Sequence, residues 1–218
     1  RLTAGNLPPG LLEGSFPELW SRLSGDRWLL DTAERVRQVS RLHGPGREWL
    51  LHWVQTGQAE LRDARGTPVT SKSLRAGKLG RNPALVPTFL EGGLPAFWTG
   101  ITGDRWLQEI SERWLSARPA GAYRRWFWHW ACTGEAELRD HAGVGFTEEV
   151  FGDALLQVGF PELWHALTGD GRLLEVRRRW ERALGAVPSQ RRWWGHRAFT
   201  GEPRPVDTSG HHLAANRR

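Results

Sequence analysis

One cysteine, Cys132, stands in 218 residues, and methionine is absent altogether. Without a second sulfur the chain closes no disulfide within itself and offers no Cys-x-x-Cys spacing to zinc. A lone thiol of this kind fits a reducing cytoplasm, which is the expected location. The lack of methionine removes the most adaptable core filler, so packing falls to stiffer side chains. Lysine is nearly missing too: Lys72 and Lys78 are the only two among 30 basic residues, and the rest are arginine. Apolar runs are short and broken by Arg, Glu or Gly, far below the roughly 18 residues of a membrane span, so no membrane partner is expected. No signal-peptide pattern opens the sequence. No Walker loop, G-x-G-x-x-G, G-x-S-x-G, H-E-x-x-H or EF-hand loop occurs, which predicts a protein that is not an enzyme and holds neither cofactor nor metal.

What the sequence has in excess is tryptophan, 14 residues beside 8 Phe and 1 Tyr, making Trp the main bulky filler. At this length a chain buries roughly 70 to 75% of the surface its unfolded form exposes, enough for a core without staples. The formal charge is +6, from 30 basic and 24 acidic groups. Arginine keeps its charge everywhere and forks onto carboxylate or phosphate, so the surplus suits phosphate binding or internal ion pairs alike.

Internal repetition organises the rest. Phe16-Pro17-Glu18-Leu19-Trp20, Leu94-Pro95-Ala96-Phe97-Trp98 and Phe160-Pro161-Glu162-Leu163-Trp164 align, and five residues after each Trp comes Gly-Asp, at Gly25-Asp26, Gly103-Asp104 and Gly169-Asp170. Thr-Gly recurs at Thr56-Gly57, Thr133-Gly134 and Thr200-Gly201, with Asp63, Asp140 and Asp207 beyond. From Trp20 to Asp63, Trp98 to Asp140 and Trp164 to Asp207 the copies measure 43, 42 and 43 residues. Thr3, Thr70 and Thr147 lie 17, 28 and 17 residues before their Trp, so the middle copy carries an 11-residue insertion, and it holds both lysines. The boundaries read 1–69, 70–146 with the basic insertion, 147–207, and a polar tail at 208–218.

Each copy reads as helices. Pro in the first turn, then Gly-Asp as a break with an Asp cap, starts a second helix near 27 to 42, where Leu29, Ala33, Val36 and Val39 fall at helical spacing. A third helix, near 47 to 56, ends at Thr-Gly, and the Asp-x-x-Gly that follows predicts a short β-hairpin or a plain loop. The expected fold class is all-α, mainly helical with room for short β-hairpins: three tandem repeats of a three- to four-helix unit in one repeat domain. Trp20, Trp98 and Trp164 are expected in equivalent buried positions.

The most specific constellation is Arg-x-Trp-x-x-His, at Arg47-Trp49-His52, Arg124-Trp126-His129 and Arg191-Trp193-His196. Three histidines and three aspartates lining one groove would make metal ligands or general bases. A repeated packing element at a helix end outweighs that reading, because function normally breaks repeat symmetry. His211 and His212 have the look of a metal or HNH-like fragment without flanking ligands, and a polar terminus is the better account.

Two functions remain. Lys72, Arg75, Lys78 and Arg81 in the insertion, with no acid between Thr70 and Leu90, and the clusters Arg124-Arg125, Arg177-Arg178-Arg179 and Arg191-Arg192 predict phosphate contacts. The neighbouring tryptophans Trp126, Trp128, Trp180, Trp193 and Trp194 would serve as stacking platforms. That makes a non-enzymatic nucleic-acid-binding protein, with DNA ahead of RNA, the leading expectation. Against it, Glu175 and Glu181 lie within helical reach of the Arg177 cluster. The alternative is a protein–protein interaction scaffold anchored by Trp and Arg, in keeping with the 8 Arg and 8 acids balanced over residues 1–63.

Overall fold

The structure, a computed structural model, describes residues 9–42, 46–63, 65–75, 89–140, 143–146, 156, 159–183 and 197–201. These residues are mainly helical and, among them, no strand forms. The helices are α1 (Phe16–Ser24), α2 (Trp28–Ser40), α3 (Leu51–Thr56), α4 (Ser71–Arg75), α5 (Leu94–Thr102), α6 (Trp106–Ser116), α7 (Trp128–Thr133), α8 (Phe160–Thr168) and α9 (Arg172–Ala183). Helices α3 and α7 are each entered through a 3-10 segment, Arg47–Leu50 and Arg118–Phe127. The third helix of the sequence reading is thus a short α-helix behind a 3-10 stretch. The chain forms two compact units, Arg1–Glu112 and Arg113–Arg218, and their border falls inside α6.

The three Pro-containing motifs build the same local structure. Helices α1, α5 and α8 each carry Pro in the first turn, where a missing N–H costs nothing. Each ends on a glycine in the left-handed region, Gly25, Gly103 and Gly169, with φ of 72°, 75° and 77°. A side chain there would strain the backbone, so the sequence keeps Gly. The same relay then turns the chain into the next helix. Ser24, Thr102 and Thr168 donate to the carbonyls of Trp20, Trp98 and Trp164 at 2.7 Å. Their hydroxyls accept the N–H of Asp26, Asp104 and Asp170, whose carboxylates accept the N–H of Trp28, Trp106 and Arg172. Each link satisfies a group that a helix end leaves open.

The segments after α3 and α7 are tight turns rather than hairpins. One bridge pairs Arg62 with Pro68 and another pairs Arg139 with Gly145. Asp63 explains the turn: its carboxylate accepts the N–H of Arg65 and Thr67 at 2.9 and 2.8 Å. Asp140 does the same for Val144 at 2.9 Å. Local side-chain bonds of this kind compete with ladder pairing, so the strands stop after one bridge.

In the first unit α5 is seated on residues that precede and form α3. Leu94 and Trp98 are buried, Phe97 stands edge-on to Trp53 with ring centroids 6.0 Å apart, and Trp49 meets Phe89 at 4.3 Å. Gly46 has φ of 116°, and a Cβ there would come 2.9 Å from the Leu94 side chain, so this close approach needs glycine twice over. In the second unit α8 is seated in the same way. Phe160 and Trp164 pack on Phe127 at 5.2 and 5.1 Å, in a core shared with Ala117, Trp126, Trp130 and Leu173.

Helix α1 departs from this pattern. Trp98 and Trp164 are 3% and 0% exposed, but Trp20 is 41% exposed, against the expectation of equivalent burial. The physical reason is that α5 and α8 each have an aromatic third helix ahead of them to sit on, whereas α1 packs only on α2 and on the 3-10 turn Pro9–Leu12. Among the residues of α1 only Pro17 is buried.

Candidate functional site

The arginines that the sequence offers as phosphate contacts divide sharply by what they touch. Arg124 is turned inward: its Nε and Nη2 donate to the Trp114 carbonyl at 2.9 and 2.6 Å, and its guanidinium lies 3.9 Å above the Trp114 ring. Arg47 has the same task, donating to the carbonyls of Leu42 and Ser40 at 2.7 and 2.9 Å. The arginine of Arg-x-Trp-x-x-His thus satisfies open carbonyls where the preceding helix ends, and adds favourable charge at its negative pole. Arg177 is clamped between Glu162 and Glu181, and Arg178 pairs with Glu175 at 3.6 Å. The neighbouring Trp126, Trp128 and Trp180 are buried, so none offers a ring face for stacking.

Three of the candidate cations lie on the surface. Arg125 is exposed, its guanidinium 5.1 Å from the Trp126 ring centroid. Lys72 and Arg75 are exposed on α4, one helical step apart. This short helix is held by reciprocal caps, Ser73 N–H to Thr70 Oγ1 and Thr70 N–H to Ser73 Oγ, and by the buried Leu74. Among the described residues neither Lys72 nor Arg75 has an acidic partner. Lys78, Arg81, Arg191 and Arg192 lie outside the described residues, as do His196, His211, His212 and Asp207.

The histidines have local roles. His52 Nε2 lies 3.3 Å from Gln58 Oε1 and 3.5 Å from Glu60, and His129 Nε2 lies 3.2 and 3.4 Å from Glu135 and Glu137. Glu60 and Glu137 also bind Arg62 and Arg139. Each His therefore ties its helix to the turn beyond Thr-Gly, and Asp63 and Asp140 are spent inside their turns. Among the described residues no cluster of three or more His, Cys, Asp or Glu side chains is placed to hold a metal, and no helix is long and apolar enough to cross a membrane.

Two features escaped the sequence reading. Arg35 and Arg113, nine residues past Asp26 and Asp104, donate to the carbonyls of Val54 and Ala131 at 2.9 and 2.8 Å, locking α2 to α3 and α6 to α7. Their recurrence at one register was the available signal. The other is the outer face of α1, where Phe16, Leu19, Trp20 and Leu23 are 39, 51, 41 and 79% exposed. They fall at i, i+3, i+4 and i+7, a single stripe of the helix. The signal was that two of the three Phe-Pro-type helices follow an Arg-x-Trp-x-x-His segment within these residues and the first does not.

A cavity of about 320 Å3 in the second unit is bordered by Glu137, Asp170 and Arg172 and walled by Phe146, Leu173 and Phe199. Arg172 stands where Trp28 and Trp106 stand in the other copies, and it binds Asp170 at 2.9 Å. Burial alone would raise the Asp170 carboxyl. Hydrogen bonds from the Arg172 side chain, its backbone N–H and the Trp164 indole outweigh burial and hold the pKa below its ordinary value. A depressed carboxyl stabilises the fold fully above its unfolded pKa of about 4 and loses that contribution as pH falls through the lower folded value. Urea midpoints are therefore expected to drop on the acid side of pH 4, and Asp170→Asn should be less stable than the parent at neutral pH and lose less below it. An identical acid limb in both proteins would contradict this.

The chain matches no protein-family profile, no curated protein and no solved structure.

Proposed function

We propose that this chain is a binding module of three tandem helical units, 1–69, 70–146 and 147–207, which acts without catalysis and engages a protein partner through the outer face of α1. The observation that carries the reading is the stripe of four large apolar side chains, Phe16, Leu19, Trp20 and Leu23, left open on one helix. Contiguous apolar surface of this kind marks a partner site in a water-exposed protein, and Trp is the favoured anchor of such sites. The repeat arrangement is supported by the threefold recurrence of the hydroxyl–aspartate relay and of the left-handed glycine caps. The proposed setting is a reducing cytoplasm, in line with the single cysteine.

A second reading, nucleic-acid binding with DNA ahead of RNA, is favoured by the exposed Lys72 and Arg75 on a segment without acids. It ranks below the first because Arg124, Arg177 and Arg178 are occupied and the adjacent rings are buried. A photo-crosslinking residue placed at Leu23 separates the two. A discrete protein adduct that Trp20→Glu removes is the expected result, whether the adduct is a second copy or another protein. Adducts unaffected by Trp20→Glu would overturn the α1 reading. If Lys72 and Arg75 meet phosphates instead, changing both to Ser should flatten the slope of log affinity against log salt by about 1.5 to 2.

A further inference from the structure

The stripe on α1 has two counterparts in the same chain that are covered, and they show what covers it. Phe16-Pro17-Glu18-Leu19-Trp20 is identical, residue for residue, to Phe160-Pro161-Glu162-Leu163-Trp164 of α8. In α8 the phenylalanine and tryptophan are 2% and 0% exposed, because Phe127 and its neighbours Trp126 and Trp130 receive them. In α5 the corresponding Leu94 and Trp98 are 0% and 3% exposed over the Trp49–Trp53 stretch. One kind of surface meets the motif in both cases: an aromatic third helix entered through a 3-10 turn.

We infer that the outer face of α1 is the seat for an aromatic third helix of a second copy of this chain, which makes the joint between copies a repetition of the joints within one copy. The inference rests on the protein-partner reading above and names its occupant. Three arguments favour a second copy. The receiving surface must match a motif that this chain already matches twice. The sequence holds three such third helices, and α5 and α8 cover only the first two. In the remaining one Trp194 stands at the register of Phe127, the residue that touches both Phe160 and Trp164. The geometry is heterologous, since α1 meets a different surface of its partner, so association continues chain by chain unless the rotation closes a ring.

Sedimentation velocity on the full chain tests this over a wide concentration range. The wild type should grow in size with concentration, while Trp20→Glu and Leu23→Glu should stay monomeric with an unchanged helical spectrum, since both positions are exposed. The decisive arm adds labelled Trp20→Glu protein to unlabelled wild type. The variant has lost its own seat but keeps its third helix, so it should co-sediment with the wild type and shorten its assemblies. A wild type that stays monomeric throughout overturns the inference, and so does a Trp20→Glu protein that still associates alone. Failure of the labelled variant to enter wild-type assemblies would show α1 pairing with α1, which also overturns it. A monomeric wild type that nonetheless gives a Trp20-dependent adduct to another protein from Leu23 would leave the partner reading standing and remove only the self-association.

Discussion

Trp164→Ala is expected to destabilise the protein by on the order of 3 to 5 kcal/mol, and Trp20→Ala by less than about 1, although the two residues sit in identical pentapeptides. Trp164 is fully buried, its ring lies against Phe127 with centroids 5.1 Å apart, and its indole N–H donates to Asp170 at 3.2 Å. Truncation would leave a cavity in a core already built around aromatic rings and strand a carboxylate partner. Trp20 has water on its outer side, and Ala there removes little that the monomer uses. Urea unfolding of both variants, at a concentration where the parent is monomeric, checks the contrast. Equal losses would mean that α1 is as well covered as α8.

The second large effect is expected at Arg124, with its neighbour as control. Arg124→Ala removes a charge-assisted interaction with a helix-terminal carbonyl and a cation over the Trp114 ring, together on the order of 2 to 3 kcal/mol. Lysine should recover only part of this, because an ammonium lacks the planar fork that reaches the carbonyl and stacks on the ring at once. Arg125→Ala, one residue along, takes away the same charge from an exposed side chain and should cost under about 1 kcal/mol. Thermal or urea melts of the pair decide it. Equal small losses would return Arg124 to the pool of surface cations.

The legible part of this molecule was what the chain settles locally. Pro in a first turn, Gly-Asp after nine helical residues and Asp-x-x-Gly after Thr-Gly each act within a few positions, so the helix order could be read directly. Spacing also placed His52 and His129 at helix ends. What the sequence could not reveal was direction. Arg124 and Arg125 are adjacent and identical in type, and only the position of Trp114 across the bend decides that one points in and the other out. The same limit applied to Trp20, whose own pentapeptide is silent on whether an aromatic helix lies ahead of it. The stacking platforms failed for a related reason. In a chain without methionine, Trp126, Trp128 and Trp180 are needed as core, and arginine beside them reports a helix end rather than a ligand.

The claim on which the rest depends is that one motif occurs three times, seated twice and open once. Oxidative footprinting of tryptophan in the native full-length monomer, resolved by residue, measures that directly. Trp20 should be oxidised early, while Trp98 and Trp164 should react only as the protein unfolds, in line with exposures of 41, 3 and 0%. Protection of Trp20 to the level of Trp164 in the monomer would contradict the account, because α1 would then have its seat within the chain and no face to offer a partner.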